Sequence, residues 1–216
     1  MNMTTDNNAS LEDIAREIGS CEACGLASGR NQAVPGEGHA ETEIMFIGEA
    51  PGFNEDRTGR PFCGAAGQFL TQMIESIGLN RNQVYITNIV KCRPPGNRDP
   101  LPEEITACRH WLDRQLAAIR PRVVVTLGRY SMSRFFPGKT ISRIHGQWEK
   151  QGDLVCLAMY HPAAALHQGS LRATILADMA RLPEIIKELK RSEKPEPTQT
   201  GATEPADVRQ LNLFES

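Results

Sequence analysis

Apolar residues along this chain follow two rhythms. Four short apolar runs, at 44–47, 84–86, 123–127 and 154–159, are too brief for helices and mostly dominated by branched side chains, so they predict buried strands. Between them, apolar residues recur three and four apart, as in Phe69, Leu70, Met73, Ile74 and Ile77, or Ile105, Leu112, Leu116 and Ile119. That spacing predicts helices, the second of them opened by Pro102, whose fixed φ suits a first turn. Alternating strands and helices imply an α/β protein with a parallel sheet covered on both faces. Such sheets bind ligands outside the carboxyl ends of their strands, so the residues standing there are the first candidates.

The first run ends in Gly48-Glu49-Ala50-Pro51-Gly52, the second in Thr87-Asn88, the third in Gly128 and the fourth in Tyr160-His161-Pro162. A carboxylate, a carboxamide and an imidazole are thus expected on one sheet edge. Any one alone is more often a cap or a satisfied polar side chain, but three at matching strand ends point to a site. Just after the first strand, Phe62 sits among glycines in GRPFCGAAGQF. There it is either an exposed ring that floors a pocket or an ordinary core phenylalanine.

With 216 residues, 40% of them hydrophobic, the chain can bury one full core, with or without a tail. No stretch approaches the roughly 18 continuous apolar residues of a membrane span. The first residues, MNMTTDNNASLEDIAREIG, lack the basic start and apolar centre of a signal peptide, so a cytoplasmic protein is expected. The net charge of −2 argues against indiscriminate polyanion binding, yet residues 81–150 hold 13 Lys plus Arg against 5 Asp plus Glu, while 193–216 hold 2 against 5. This gradient fits one anionic partner for the body, or a solvated surface with an excess of arginine.

Six cysteines in a reducing compartment read as ligands, catalysts or core fillers more readily than as disulfides. Cys21 and Cys24 form a C-x2-C pair, followed after 67 residues by Cys92 and after another 15 by Cys108. A tight pair plus two distant thiols can close a tetrahedral thiolate site. Zinc ribbons usually repeat the pair and this chain does not, so spacing leaves structural zinc and an iron–sulfur cluster both open. Cys63 and Cys156 have no such partners, and Cys156 reads as core.

Taken in order, GEAPG, EDRTGRPFCGAAGQFL, YITNIVKCRPPGNRDPLPEEITAC, a strand ending in LG, and YHPAAAL resemble the family 4 uracil-DNA glycosylases, the iron–sulfur members of the uracil-DNA glycosylase superfamily. The resemblance runs from about Cys21 to about Leu182. It implies a three-layer α/β/α sandwich around a central four-stranded parallel sheet, and a 4Fe-4S cluster, chiefly structural, on Cys21, Cys24, Cys92 and Cys108. It implies a glycosylase domain at 21–191 behind a helical lead-in at 1–20. The activity implied is hydrolysis of the N-glycosidic bond of deoxyuridine in single- or double-stranded DNA, leaving an abasic site for base excision repair.

The resemblance also assigns roles to residues. Phe62 would lie against the uracil face, with Gly48 and Ala50 lining the pocket. The donor and acceptor of Asn88 match uracil O4 and N3–H and mismatch cytosine. His161 would hydrogen-bond O2 as charge gathers there, and Glu49 would orient water, stabilise the sugar cation or brace its loop. No lysine suits attack on the sugar carbon, so a hydrolase without strand cleavage is expected. HPAAALHQGS would form a loop entering the duplex, with Leu166 as wedge; the family often has arginine and proline where this chain has His167 and Gly169. Cys63 replaces the usual valine. Lys91, Arg93 and Arg98 are the candidates for phosphate contacts. His145 falls before the wrong strand to be the sugar-trapping histidine of a covalent branch of the superfamily.

From about Ser192 to 216 the composition turns to Lys, Pro, Glu and Thr, that of a flexible tail. It ends in QLNLFES, where Gln210, Leu211, Leu213 and Phe214 resemble the motif by which bacterial repair proteins dock on the replication sliding clamp. A monomer is expected otherwise. The rival to an enzyme is a noncatalytic iron–sulfur DNA-binding module on the same fold, which has no need of Phe62, Asn88 and His161 together. A general nucleotide hydrolase is a weaker reading, since nothing resembles a Walker loop.

Overall fold

The computed structural model describes residues 10–192. Six strands, β1 (Glu37–Gly38), β2 (Ile44–Gly48), β3 (Tyr85–Asn88), β4 (Val123–Leu127), β5 (Trp148–Gln151) and β6 (Leu154–Met159), form one sheet in the order β1-β3-β2-β4-β6-β5. The four expected strands make its parallel centre. The expected four-stranded sheet is extended by two antiparallel edges, β1 on β3 and β5 on β6. Sequence pattern misses both edges because β1 is two residues long and β5, reading WEKQ, is largely exposed.

Helices α1 (Leu11–Gly19), α2 (Phe53–Thr58), α3 (Ala65–Ser76), α4 (Pro102–Ile119), α5 (Arg129–Phe135), α6 (Ile141–Ile144), α7 (Pro162–His167), α8 (Leu171–Met179) and α9 (Leu182–Ser192) surround the sheet. Period-two alternation along the strands divides their side chains between two cores. Met45, Ile47, Val124 and Cys156 join Ile14 and Ile18 of α1, Trp111 and Leu112 of α4, and Met132 and Phe135 of α5. Phe46, Ile86, Val125 and Leu157 join Phe69 and Met73 of α3, Ile175 and Met179 of α8, and Leu182 and Ile185 of α9. Three layers result. Helix α1, the described part of the expected lead-in, packs into the body: Ser10 caps it by accepting from the Asp13 N–H, and Ile14 and Ile18 are buried.

The expected loop at HPAAALHQGS is instead a short helix, α7, because His161 caps it, Pro162 opens it and three alanines favour it. No helix among the described residues is long and apolar enough to cross a membrane. Gln210, Leu211, Leu213 and Phe214 lie outside the described residues.

Candidate active site

Parallel register places Gly48, the last residue of β2, beside Asn88, the last of β3. A β-carbon at Gly48 would overlap both Asn88 Oδ1 and the tip of the Phe62 ring, so the absence of a side chain there lets the amide and the ring meet. Asn88 is 1% exposed. Its Oδ1 is one of two buried side-chain polar atoms among the described residues that lack a hydrogen-bond partner. An orphaned buried acceptor costs about 1–3 kcal/mol, and in a folded protein it calls for an explanation such as an awaited ligand.

Phe62 is buried rather than openly exposed, and packs with the α3 core. It is held in the left-handed region at φ +49, an unusual conformation for a bulky residue. Gly67 allows it, since a β-carbon there would overlap the Phe62 carbonyl. Glu55 ties this turn to the first strand end: Oε1 accepts from the N–H groups of Cys63 at 2.9 Å and Gly64 at 3.0 Å, and Oε2 accepts from Gly52 N–H at 3.1 Å. Sequence reasoning missed Glu55, although a Gly52-x-x-Glu55 capping box was there to be seen.

The Phe62 ring stacks on His161, with centroids 5.6 Å apart and planes inclined by 28°. His161 caps α7, its Nδ1 accepting from the Ala163 N–H at 3.1 Å. That bond assigns the proton to Nε2, which is then a donor. Burial pushes the imidazole pKa down to about 4, with a small opposing pull from Glu55, so the ring is neutral near pH 7. Gly128, at φ +93, leaves room for it.

Glu49, next along from Gly48, is half-buried. Burial raises its pKa to about 7, Asp99 adds to the rise, and Arg129 opposes it. Asp99 and Arg129 are themselves an ion pair. The edge thus joins a carboxyl group poised near neutrality, a neutral imidazole, an amide with a free acceptor and an aromatic face, a constellation that suits a flat polar ring and a proton-linked reaction beside it.

Residues 35–187 match the family description "Uracil DNA glycosylase superfamily". The chain belongs to that superfamily. It is 50% identical over 186 residues to a type-4 uracil-DNA glycosylase of Sulfurisphaera tokodaii, covering 82% of this chain and 84% of the relative. It is 48% identical to the type-4 uracil-DNA glycosylase of Archaeoglobus fulgidus, covering 82% and 93%. A type-5 uracil-DNA glycosylase of Pyrobaculum aerophilum is 34% identical, over 68% of this chain and 74% of its own.

In this superfamily member the four paired cysteines line one small cavity, together with Ile18, Arg30 and Trp111. Three of the sulfurs receive N–H donors: Cys21 from Trp111 Nε1 at 3.3 Å, Cys92 from Arg30 Nη1 at 3.2 Å and Cys108 from the Lys91 N–H at 3.3 Å. Such bonds stabilise negative sulfur, as in a metal-bound thiolate. No group of three or more His, Cys, Asp or Glu among the described residues is arranged to hold a metal ion. Cys156 is core.

One expected DNA contact is corrected. Lys91 is fully buried, and its ammonium donates at 2.7 Å to Thr87 Oγ1, the Asn88 carbonyl and Gln115 Oε1. It cannot touch phosphate. Sequence suggests otherwise because lysine is almost never buried unless its donors are met, and the three acceptors come from β3 and the distant α4. Arg98 is half-exposed but bonded to Glu104 at 2.6 Å. Arg93 is half-buried, its Nε donating to Asn97 Oδ1 at 2.6 Å. Leu166 is 50% exposed on α7, and Ala50 is partly buried against the core.

Proposed function

We propose that this protein is a uracil-DNA glycosylase, an enzyme that takes deoxyuridine out of the DNA stack and hydrolyses its N-glycosidic bond, releasing uracil and leaving an abasic site. The observation that carries the reading is the orphaned Oδ1 of Asn88, buried at the carboxyl edge of the sheet beside Gly48 and Phe62. Uracil N3–H supplies the missing donor, and the Asn88 amide donates in return to O4. Cytosine, with a bare N3 and an amino group, leaves both amide atoms mispaired, a loss that polar pockets convert into strong rejection. The Phe62 ring takes the face of the base.

As the C1′–N1 bond breaks, its electron pair passes to the base and collects at O2. The neutral His161 donates from Nε2 to that oxygen; a donor aimed at developing charge is worth about 3 kcal/mol of barrier. Water adds to C1′ and its proton is lost, with Glu49 as the carboxylate that orients it. Lys91, the lysine nearest Asn88 in sequence, is not offered as a nucleophile to the sugar, being fully committed to three acceptors. The reaction therefore stops at the abasic site. Leu166 enters the duplex from α7 and fills the space of the extruded base.

The four-cysteine cavity and its three N–H···S bonds suit a metal group held by thiolates, which we take to be a 4Fe-4S cluster on Cys21, Cys24, Cys92 and Cys108. Cys21 and Cys24 of the segment after α1, Cys92 of the segment after β3 and Cys108 of α4 would hold such a cluster, which would cross-link those three segments when bound. The carboxyl-terminal Gln210-Leu211-Asn212-Leu213-Phe214 serves as a tether to the sliding clamp, so that deleting 210–216 abolishes clamp capture and spares activity on a short oligonucleotide.

The deciding experiment is uracil release from a single-stranded oligonucleotide, with Asn88→Ala as control. Release by the unaltered protein, lowered about 100-fold or more in the variant, is expected. A cluster-loaded protein that binds the oligonucleotide and releases nothing is a noncatalytic DNA-binding module instead, a reading that the intact pocket disfavours.

A further inference from the structure

At the carboxyl edge of the sheet, one residue past Gly52, the ring of Phe53 stands 50% exposed. A single exposed apolar side chain is ordinary on a protein surface, but this ring also has charged groups gathered on its face. These are two guanidinium groups: Arg93 lies over the ring with its carbon 5.1 Å from the centroid, and Arg57, one helical turn on in α2, lies at 5.6 Å. Neither arginine makes an ion pair among the described residues, whereas Arg60, Arg81, Arg98, Arg129 and Arg134 all do. The two unneutralised cations thus converge on one open phenyl face. They reach it from different segments, since Arg57 follows β2 and Arg93 follows β3, the strands that end in Gly48 and Asn88.

We infer that Phe53, Arg57 and Arg93 form a stacking platform for an unpaired nucleobase next to the extruded nucleotide, with the two arginines drawing in the adjoining phosphates. This rests on the glycosylase reading for its ligand, and adds a second base-binding position outside the pocket. The chemistry favours nucleic acid over an apolar protein partner. A single strand offers at once a π-face to the phenyl and an anion to each guanidinium, a combination that an apolar protein surface lacks. It also leaves the platform indifferent to sequence, because every base has a face to stack.

The test is fluorescence anisotropy of labelled single-stranded oligonucleotides, one containing deoxyuridine and one containing thymidine instead, with uracil release measured in parallel. Phe53→Ala is expected to weaken binding of both by about tenfold or more, while Phe53→Trp retains it. Trp148→Ala, which removes another exposed aromatic (37% exposed on the far edge strand β5), should leave binding unchanged. Arg57→Gln and Arg93→Gln should each reduce the salt dependence by about one phosphate contact. Binding by Phe53→Ala equal to that of the parent overturns the platform and turns the patch towards a protein partner. Failure of the unaltered protein to release uracil overturns the proposed activity instead, and leaves the anisotropy result to decide the platform by itself.

Discussion

The ammonium of Lys91 donates at 2.7 Å to the main-chain carbonyl of Asn88, the residue whose side-chain oxygen stands unpaired in the pocket. The same ammonium holds Thr87 and Gln115, and the Lys91 N–H reaches the sulfur of Cys108. One buried residue therefore connects the cysteine cavity to Asn88, the residue proposed to read the base. Gln115 extends the connection through Nε2, which donates to the Pro35 carbonyl at 2.8 Å and to the Tyr85 hydroxyl at 3.1 Å.

Replacing Lys91 with methionine keeps the length of the side chain and removes all three donors, leaving the Asn88 carbonyl and Gln115 Oε1 in want of partners. A loss of about 2–4 kcal/mol in unfolding free energy is expected, together with a fall in kcat. Urea titration beside single-turnover uracil release measures both. A variant as stable as the parent would mean that the network carries no weight.

Gly48 supports a sharper expectation. An added methyl group cannot fit without moving the Asn88 amide or the Phe62 ring. Overpacking of this kind costs about 1–3 kcal/mol, yet misplacing a reacting group by an ångström can cost about 100-fold in rate. Gly48→Ala should therefore remain folded and bind DNA, with kcat lowered about 100-fold. Full activity would show that the two side chains need not meet there.

How much of this was legible beforehand differs by residue. Glu49, Asn88 and His161 could be found because each follows an apolar strand, and a parallel sheet brings such ends to one edge. Glu55 and Gln115 could not be found that way. Glu55 acts through hydrogen bonds to main-chain N–H groups of its own loop, and Gln115 through bonds to the distant Pro35 carbonyl, Tyr85 hydroxyl and Lys91 ammonium, so neither stands at a strand end. Lys91 was misread as surface because a charge in an amino-acid sequence reads as solvated. Only the fold supplies the three acceptors that let it be buried. The edge strands β1 and β5 escaped for the opposite reason, being too short or too polar to leave a rhythm.

The cysteine cavity yields a test with a readout besides activity. Cys92 is buried, and burial raises its thiol pKa while Arg30 opposes the rise; a metal bound there would take the proton's place. Cys92→Ala should lower iron content per chain, abolish visible absorbance and reduce the melting temperature. The surviving folded fraction should still prefer uracil to cytosine, because Asn88 makes that choice. Equal stability of variant and parent would remove Cys92 from any structural site.

Glu49 and His161 divide the pH response between them. The Glu49 carboxyl titrates at about 7 in the folded chain, above its ordinary 4.5, so the native state binds more protons than the unfolded state between those values. Its contribution to stability is complete below about pH 4.5 and is lost as pH rises through 7. For His161 the sign reverses: its folded value of about 4 lies below the ordinary 6.5, so its contribution is complete above 6.5 and is lost as pH falls through 4. Activity that needs the Glu49 carboxylate should climb through a limb near pH 7, even as this group's contribution to stability declines. Glu49→Gln should flatten that limb and raise the melting temperature above pH 7, leaving the acid side, which belongs to His161, unchanged. Uracil-release rates and melting temperatures across about pH 5–9 test the pair together. An activity limb that survives in Glu49→Gln would assign the titration to another group.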